Sequence, residues 1–571
     1  MAVVTGSIDD RAALARTLGL PSETAQHVLA AAAYGRWGAE MPSRLRGAFA
    51  VLVWDRARSD GLVAVDQLGA RSLVYRQAGA SLTFATELRE LLPLLETAPP
   101  PRERAAVRWL VDGVLETDET LFTGVRRLPG GHLLRLGTEG ARPERYWEPS
   151  PPGPQRIDRD AATRRLGSAL GRAVARGASR GEPTGILLSG GLDSSSVAAF
   201  ARAAGARLVA YSVVFPEQPA ADEAALVTER ATALGLPTRR LAFRSGSALA
   251  AGLRHLDAWR VPPPSPNLFF HEPLLRLARS DGIVTMLDGQ GGDELFGASP
   301  YLLADRLRAG RVAAASALAR AYLGPRNAAV PAARREVMRR FALKGALPSG
   351  VHRAMRSRLA ARYAPAWLTP AGAAAYGGGP STWAWKESSG PRWWAYLSDV
   401  VSRGRERAGV HDSLRHLFAS AGLCGAHPLL EDVDLVEETL ALPPELAFDA
   451  RLDRPLLRAA VAGLLPDAVR LREDKSYFND VLAAALHGAD DPPLRRLLGQ
   501  RAETRRYVRA ELVDRLRATP TGRRGGPASF LLWRLAMVEC WLQTLADPGF
   551  PAKALDAWGL AEPRFEVLDE D

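Results

Sequence analysis

Two rhythms of hydrophobic and polar positions divide this sequence. Up to about residue 150, short apolar runs such as 48–54 (AFAVLVW) and 61–65 (GLVAV) alternate with turns, which predicts a strand-rich unit. A proline-rich stretch, Glu148-Pro149-Ser150-Pro151-Pro152-Gly153-Pro154, then has the composition of an interdomain linker. Pro99-Pro100-Pro101 and Gly377-Gly378-Gly379-Pro380 punctuate the chain in the same way. Beyond the linker, strand-type runs at 185–188, 207–215 and 282–287 alternate with helix-type patterns at 194–202, about 222–234 and near 272–280. Strands separated by helices predict a parallel sheet with crossover connections, an α/β nucleotide-type domain. From about residue 300 the patterns are mostly helical, and no internal repeat is visible.

Composition narrows the classes. With 571 residues the chain is long enough for two to four domains, and 47% hydrophobic content is that of a globular protein. No apolar run approaches the roughly 18 residues of a membrane span. The opening Met1-Ala2-Val3-Val4-Thr5-Gly6 lacks a secretory signature, so a cytoplasmic location without membrane association is expected. Two cysteines, Cys424 and Cys540, exclude a disulfide framework and a cysteine-built zinc site. Cys540 sits in a helical stripe with Leu532, Leu535, Val538, Trp541 and Leu542, which predicts burial.

Charge changes the picture in two ways. The net charge is +11, yet its 74 basic residues include four lysines: Lys344, Lys386, Lys475 and Lys553. In a chain that writes its cations as arginine, each retained lysine stands out. The excess is also local, because residues 301–362 hold thirteen arginines and Lys344 against Asp305 and Glu336. That segment is a candidate docking surface for an acidic partner, against the simpler alternative of a solvated helical face. No interleaving of basic and aromatic residues supports nucleic-acid binding.

Three segments carry candidate chemistry. Ser189-Gly190-Gly191-Leu192-Asp193-Ser194-Ser195 lies between a strand and a helix, where backbone N–H groups and the helix dipole favour an anion. It lacks the Gly-x4-Gly-Lys-Ser/Thr of a Walker loop. Leu287-Asp288-Gly289-Gln290-Gly291-Gly292-Asp293 follows a strand of the same sheet, so the two loops converge at its carboxyl edge. Asp193 and Asp293 near a triphosphate call for a bridging cation, and Mg²⁺ is the usual one. In Arg472-Glu473-Asp474-Lys475-Ser476-Tyr477-Phe478, Lys475 offers a compact cation to a leaving pyrophosphate. The nine histidines form no metal-binding spacing and are expected in core or surface roles. Trp367, Trp383, Trp385, Trp393 and Trp394 are expected to pack a helical subdomain.

Taken together, these motifs resemble the asparagine synthetase family. The 189–195 heptad resembles its pyrophosphate loop, and 288–297 its second nucleotide loop. Residues 422–431 resemble a late Gly-Leu-Glu-x-Arg-x-Pro-Phe-Leu-Asp segment in weakened form, and 455–475 the stretch ending in the catalytic lysine. Tyr34-Gly35-Arg36-Trp37-Gly38, 45–50, 66–71, 84–87 and 128–132 are similar to the family's glutaminase domain. The resemblance implies an α/β fold class: a degenerate Ntn-type, class II glutaminase-like sandwich over 1–150, then a PP-loop ATP pyrophosphatase domain over 151–571. The latter would carry a basic helical insertion at about 301–420.

The departures from the family pattern set the expected reaction. A glutaminase of this type needs an N-terminal Cys nucleophile, but residue 2 is Ala2 and the first cysteine is Cys424. The chain therefore reads as starting partway through a remnant that does not release ammonia. Gln290 stands where asparagine synthetases carry Glu and β-lactam synthetases a Tyr, and the Gly-Gln-Gly-Gly-Asp-Glu form resembles lasso-peptide cyclases. That resemblance implies ATP with Mg²⁺, macrolactam formation on a precursor peptide, and a leader-binding protein and leader peptidase as partners. The implied nucleotide contacts are Leu187, Ser189, Gly190, Gly191, Leu192, Asp193, Ser194, Ser195, Val214, Leu287, Asp288, Gly289 and Gln290. Asp193 and Asp293 are the implied metal ligands, and they act with Lys475 in catalysis.

Asp193→Ala, Asp293→Ala and Lys475→Ala are each expected to abolish ATP turnover without unfolding the protein, and the intact protein to release AMP and pyrophosphate. Nucleotide chromatography and circular dichroism test this; ADP and phosphate as products would contradict the pyrophosphate-loop assignment.

Overall fold

The computed structural model of the chain describes all residues except 80, 138–140, 152–156, 179–180, 329–330, 360–363, 378–389, 404, 473–477, 520–525 and 570–571. Lys475, Trp383, Trp385, Lys386 and part of the 148–154 stretch lie outside the described residues.

The first 147 residues build two antiparallel sheets. Strands β1 (Ala2–Gly6), β2 (Phe49–Asp55), β3 (Asp60–Val65), β7 (His132–Leu136) and β8 (Pro143–Arg145) form one, in that order. Strands β5 (Ser81–Ala85), β4 (Val74–Ala78) and β6 (Val125–Arg127) form the other. The continuous apolar run in β2 follows from burial on both faces. Phe49, Val51 and Val53 pack with Ala30 and Ala33 of helix α1 (Gln26–Trp37), while Ala50 and Leu52 join Tyr75, Leu82 and Phe84 of the second sheet. The sequence expectation of a strand-rich unit understated its helices, because α1 and α2 (Glu103–Asp112) belong to it as well.

The second half is a six-stranded sheet in the order β13 (Cys424–Ala426), β12 (Thr285–Leu287), β9 (Thr184–Leu187), β10 (Leu208–Val214), β11 (Thr238–Ser245) and β14 (Arg564–Asp569). The first five are parallel and β14 is antiparallel at the edge. Side-chain alternation sorts the sheet's residues between two cores. Leu187, Tyr211, Leu241 and Met286 join the C-terminal helix Gly526–Ala546, where Cys540 is fully buried. Ile186, Leu208, Ala210 and Leu287 face the helices α3 (Arg159–Gly177), α4 (Leu192–Ala203) and α5 (Ala224–Leu234). Strands β11, β13 and β14 were not anticipated from the sequence. Arg239 and Arg240 interrupt the apolar pattern of β11, and β13 spans three residues.

The two halves share their interior. Leu68 packs in the same cluster as Leu166 and Leu429, and Trp109 and Phe122 meet Trp533 and Trp541 at ring separations of 6.2 and 5.9 Å. A buried polar network crosses the same boundary. Arg127 grips Asp412 with both terminal nitrogens, Arg415 Nε lies 2.5 Å from Glu87 Oε1, and His416 Nε2 lies 3.1 Å from Glu87 Oε2. Burial alone would raise the Glu87 pKa, but Arg415 and His416 together more than offset it and hold the carboxyl at about 2.

A depressed carboxylate pKa stabilises the fold above the unfolded value of 4.5, and that stability is lost as pH falls through about 2. Glu87→Gln is therefore expected to cost roughly 3 kcal/mol at pH 7. The difference from wild type should shrink below pH 4.5 and vanish near pH 2. Urea denaturation at a series of pH values checks this; a constant difference down to pH 3 would refute it.

Candidate active site

The site lies where the sheet's winding reverses. From β9 the chain runs outward to β10 and β11 on one side, then returns to lay β12 and β13 on the other. Such a reversal opens a crevice at the carboxyl ends of the strands. The loop after β9, Ser189–Gly191, leads into α4, whose N-terminus has no side-chain cap. The loop after β12, Asp288–Gly291, leads into the short helix Gly292–Phe296. Two glycines let these loops touch. A Cβ on Gly289 would lie 2.4 Å from Ser194 N, and one on Gly292 would lie 2.3 Å from the Asp193 carboxyl carbon.

Between the loops is a cleft of about 440 Å³. Leu187, Tyr211, Val213, Phe270, Leu274 and Phe478 line its apolar part. Arg230, Arg454, Arg458 and Arg472 line its polar part. Arg230 is almost fully buried; burial and the neighbouring Arg472 lower its pKa. Arg230 Nε and Arg472 Nη1 are buried without a hydrogen-bond partner among the described residues. Two like charges with unmet donors beside a cleft favour an anionic ligand. A carboxylate already reaches the first loop, since Glu223 Oε2 accepts the Gly190 N–H at 2.9 Å.

Asp193 and Asp293 open helices that follow different strands yet meet the same cation. Arg454 Nη1 lies 2.5 Å from Asp193 Oδ2 and 3.2 Å from Asp293 Oδ1, and its Nη2 lies 2.7 Å from Asp453. Burial works against the Arg454 charge, but these three carboxylates raise its pKa. No local pattern marks this residue, a non-glycine at positive φ (48°) beside Pro455 whose partners Asp193 and Asp293 are about 260 and 160 positions away.

Most of the anticipated nucleotide contacts line the cleft: Leu187, Ser189, Gly190, Gly191, Leu192, Asp193, Ser194, Asp288, Gly289 and Gln290, as does the anticipated metal ligand Asp293. Three do not. Ser195 is fully buried and its hydroxyl donates back to the Gly191 carbonyl at 2.8 Å, inside the helix. Val214 and Leu287 fall on the wrong parity of their strands, so Val213 takes the cleft-facing position in β10. Histidines expected to be uninvolved are also present. His271 lines the cleft with its pKa pushed by burial to about 4, and His427 hydrogen-bonds Asp288.

These features define an α/β protein with an arginine-lined cleft at two strand ends. The profile of the family described as asparagine synthase matches residues 165–543, and that of the glutamine amidotransferase domain matches 11–147. The chain belongs to the asparagine synthase family. It is 30% identical over 296 residues to a Gibberella zeae protein named amidase chry2, covering 48% of this chain and 43% of that one. It is 32% identical over 278 residues to a putative glutamine-hydrolysing asparagine synthetase of Mycobacterium tuberculosis, covering 47% and 42%. It is 25% identical over 269 residues to an asparagine synthetase of Bacillus subtilis, with the same coverage. The chain thus aligns with less than half the length of each.

The two carboxylates fit Mg²⁺. They converge on one point with hard oxygen donors, and Mg²⁺ accepts one or two protein carboxylates when phosphates and water complete its shell. Among the described residues no cluster of three or more His, Cys, Asp or Glu offers an all-protein metal cage.

Arg454→Met removes the cation between the carboxylates and is expected to cost about 1–3 kcal/mol in EDTA, less than a fully buried pair because Asp293 is 53% exposed. Added Mg²⁺ should recover more thermal stability in the variant than it adds to wild type. Equal gains would mean that Asp193 and Asp293 do not share a cation site.

Proposed function

We propose that this chain is an ATP-dependent amide-forming ligase that activates a carboxylate as its adenylate and releases AMP and pyrophosphate. The observation that carries the reading is the pair Asp193 and Asp293, brought from two strand ends onto one cation at the rim of an arginine-lined cleft. ATP would lay its base against Leu187, Val213 and Phe270 and its phosphates along Ser189–Ser194. Mg²⁺, when bound by Asp193 and Asp293, would neutralise charge on the phosphates. Glu223 would have to leave the Gly190 N–H as phosphate arrives, because both are anionic. Arg230, Arg472 and Lys475 would then stabilise the charge that builds on the departing pyrophosphate. Holding the amine beside the activated carboxyl adds proximity, on the order of 7–11 kcal/mol in ideal cases.

The finer reading is a macrolactam synthetase acting on a precursor peptide. An N-terminal amine would attack an activated Asp or Glu side chain, and a leader-binding protein and leader peptidase would prepare the substrate. Gln290 lines the cleft and cannot accept a proton, so the arrangement favours a nucleophile that needs little help. A peptide α-amine, with a pKa of about 7.7–8.0, is partly neutral at physiological pH.

Incubation with ATP, Mg²⁺ and leaderless core peptide should yield a product one water lighter, with a ring that resists carboxypeptidase. Efficient conversion of aspartate and ammonia to asparagine would replace the macrolactam reading with that of an ammonia-dependent asparagine synthetase. Closure of a small-molecule ring would favour a β-lactam-forming relative, and absence of AMP formation with any of these acceptors would leave a non-catalytic scaffold.

A further inference from the structure

His427 has no part in the activation chemistry above, yet it occupies a slot built for an imidazole behind the second loop. Its Nδ1 lies 2.8 Å from Asp288 Oδ2, and both side chains are buried. The other Asp288 oxygen accepts the Gln290 N–H at 3.1 Å, so one carboxylate joins the histidine to the turn that presents Gln290. Gly425 leaves room for the ring, since a Cβ there would lie 2.6 Å from His427 Nε2. Phe418 closes the slot with an edge contact at 5.2 Å.

The slot is tied to both loops and to the first half of the chain. A Cβ on Gly291 would lie 3.0 Å from the Leu429 carbonyl, so the turn rests directly on the backbone that follows His427. The same turn abuts Asp193 and Ser194 through Gly289 and Gly292. On its far side the 427–437 stretch is clamped by Leu68 against Leu429, by Arg46 on Asp434 at 2.9 Å, and by Trp147 Nε1 donating to Glu437 at 2.8 Å. Burial works against a charged His427, but Asp288 and Glu431 outweigh it and the opposing Arg71 and raise its pKa above the ordinary imidazole value.

We propose that His427 is a positioning residue for nucleotide binding: by holding Asp288 it fixes the Gln290–Gly292 turn, and so keeps the Asp293 carboxylate opposed to that of Asp193. The first half of the chain serves as the brace for this contact. The proposal rests on the reading of the cleft as an MgATP site and is independent of which amide is made.

The test is calorimetric binding of MgATP to the full chain, with the KM for ATP and kcat measured on any acceptor that turns over, beside thermal unfolding without nucleotide. His427→Leu, which lacks the donor, should weaken MgATP binding at least tenfold and raise KM for ATP more than it lowers kcat. His427→Asn, whose amide can reach Asp288, should recover binding to within about threefold of wild type. Should the Leu variant not fold, His427→Gln takes its place with the same expectation, because its amide is displaced by one methylene. Wild-type affinity in a folded Leu or Gln variant, or equal weakening in Asn and Leu, would overturn the role of His427 while leaving the MgATP site intact. Failure of the wild-type chain to bind MgATP would instead overturn the cleft reading, and this proposal with it.

Discussion

Two ionised carboxylates do not stay side by side without a cation between them, and the site is organised around that constraint. Asp193 opens one helix and Asp293 another, and they are brought into register by a backbone contact that tolerates no Cβ at Gly289 or Gly292. Arg454 supplies the cation from a third segment, at positive φ immediately before the helix that starts at Pro455. The same guanidinium edge that binds two carboxylates would suit phosphate oxygens, because both present paired acceptors. Residues that stabilise the ligand-free arrangement are thus of the type that would serve a bound triphosphate.

Around that centre, charge is distributed by depth. Guanidiniums with unmet donors line the cleft at Arg230 and Arg472, and the boundary between the halves sets its arginines on carboxylates, Arg127 on Asp412 and Arg415 on Glu87, with Arg415 Nη1 still unmet. Cleft guanidiniums without a carboxylate are costly unless an anion arrives; the boundary pairs tie the two halves together. The segment similar to an amidotransferase domain also contributes apolar interior to the second half. Its helix Glu103–Asp112 and Leu68 complete cores that the second half would otherwise expose.

The basic stretch 301–362 remains a candidate docking surface for an acidic partner. Its helices bury Leu302, Leu303 and Ala319 against Phe448, and they leave Arg311, Arg320, Arg340 and Lys344 exposed beside Val312 and Leu343. Part of that charge is neutralised locally, as where Arg339 binds Glu336 and Arg306 meets Glu445.

The sequence by itself determined several of the central elements and the two glycine-rich loops. Local apolar periodicity located β2, β3, β9, β10 and β12 and the helices after the first two of the parallel strands, and the glycine-rich heptad and its counterpart at 288–293 were legible because each is a contiguous turn between a strand and a helix. It also marked the cleft residues that sit on those loops. Tertiary structure alone decided the rest. Which of two neighbouring residues faces the cleft depends on strand parity, so Val213 replaced Val214, and helix geometry turned Ser195 back onto its own backbone. Arg454, Glu223 and His427 reach their partners across separations of about 261, 33 and 139 residues, and no local pattern encodes contacts of that range. Hydrophobic rhythm is a property of neighbours along the chain, whereas pairing of charges is a property of neighbours in space.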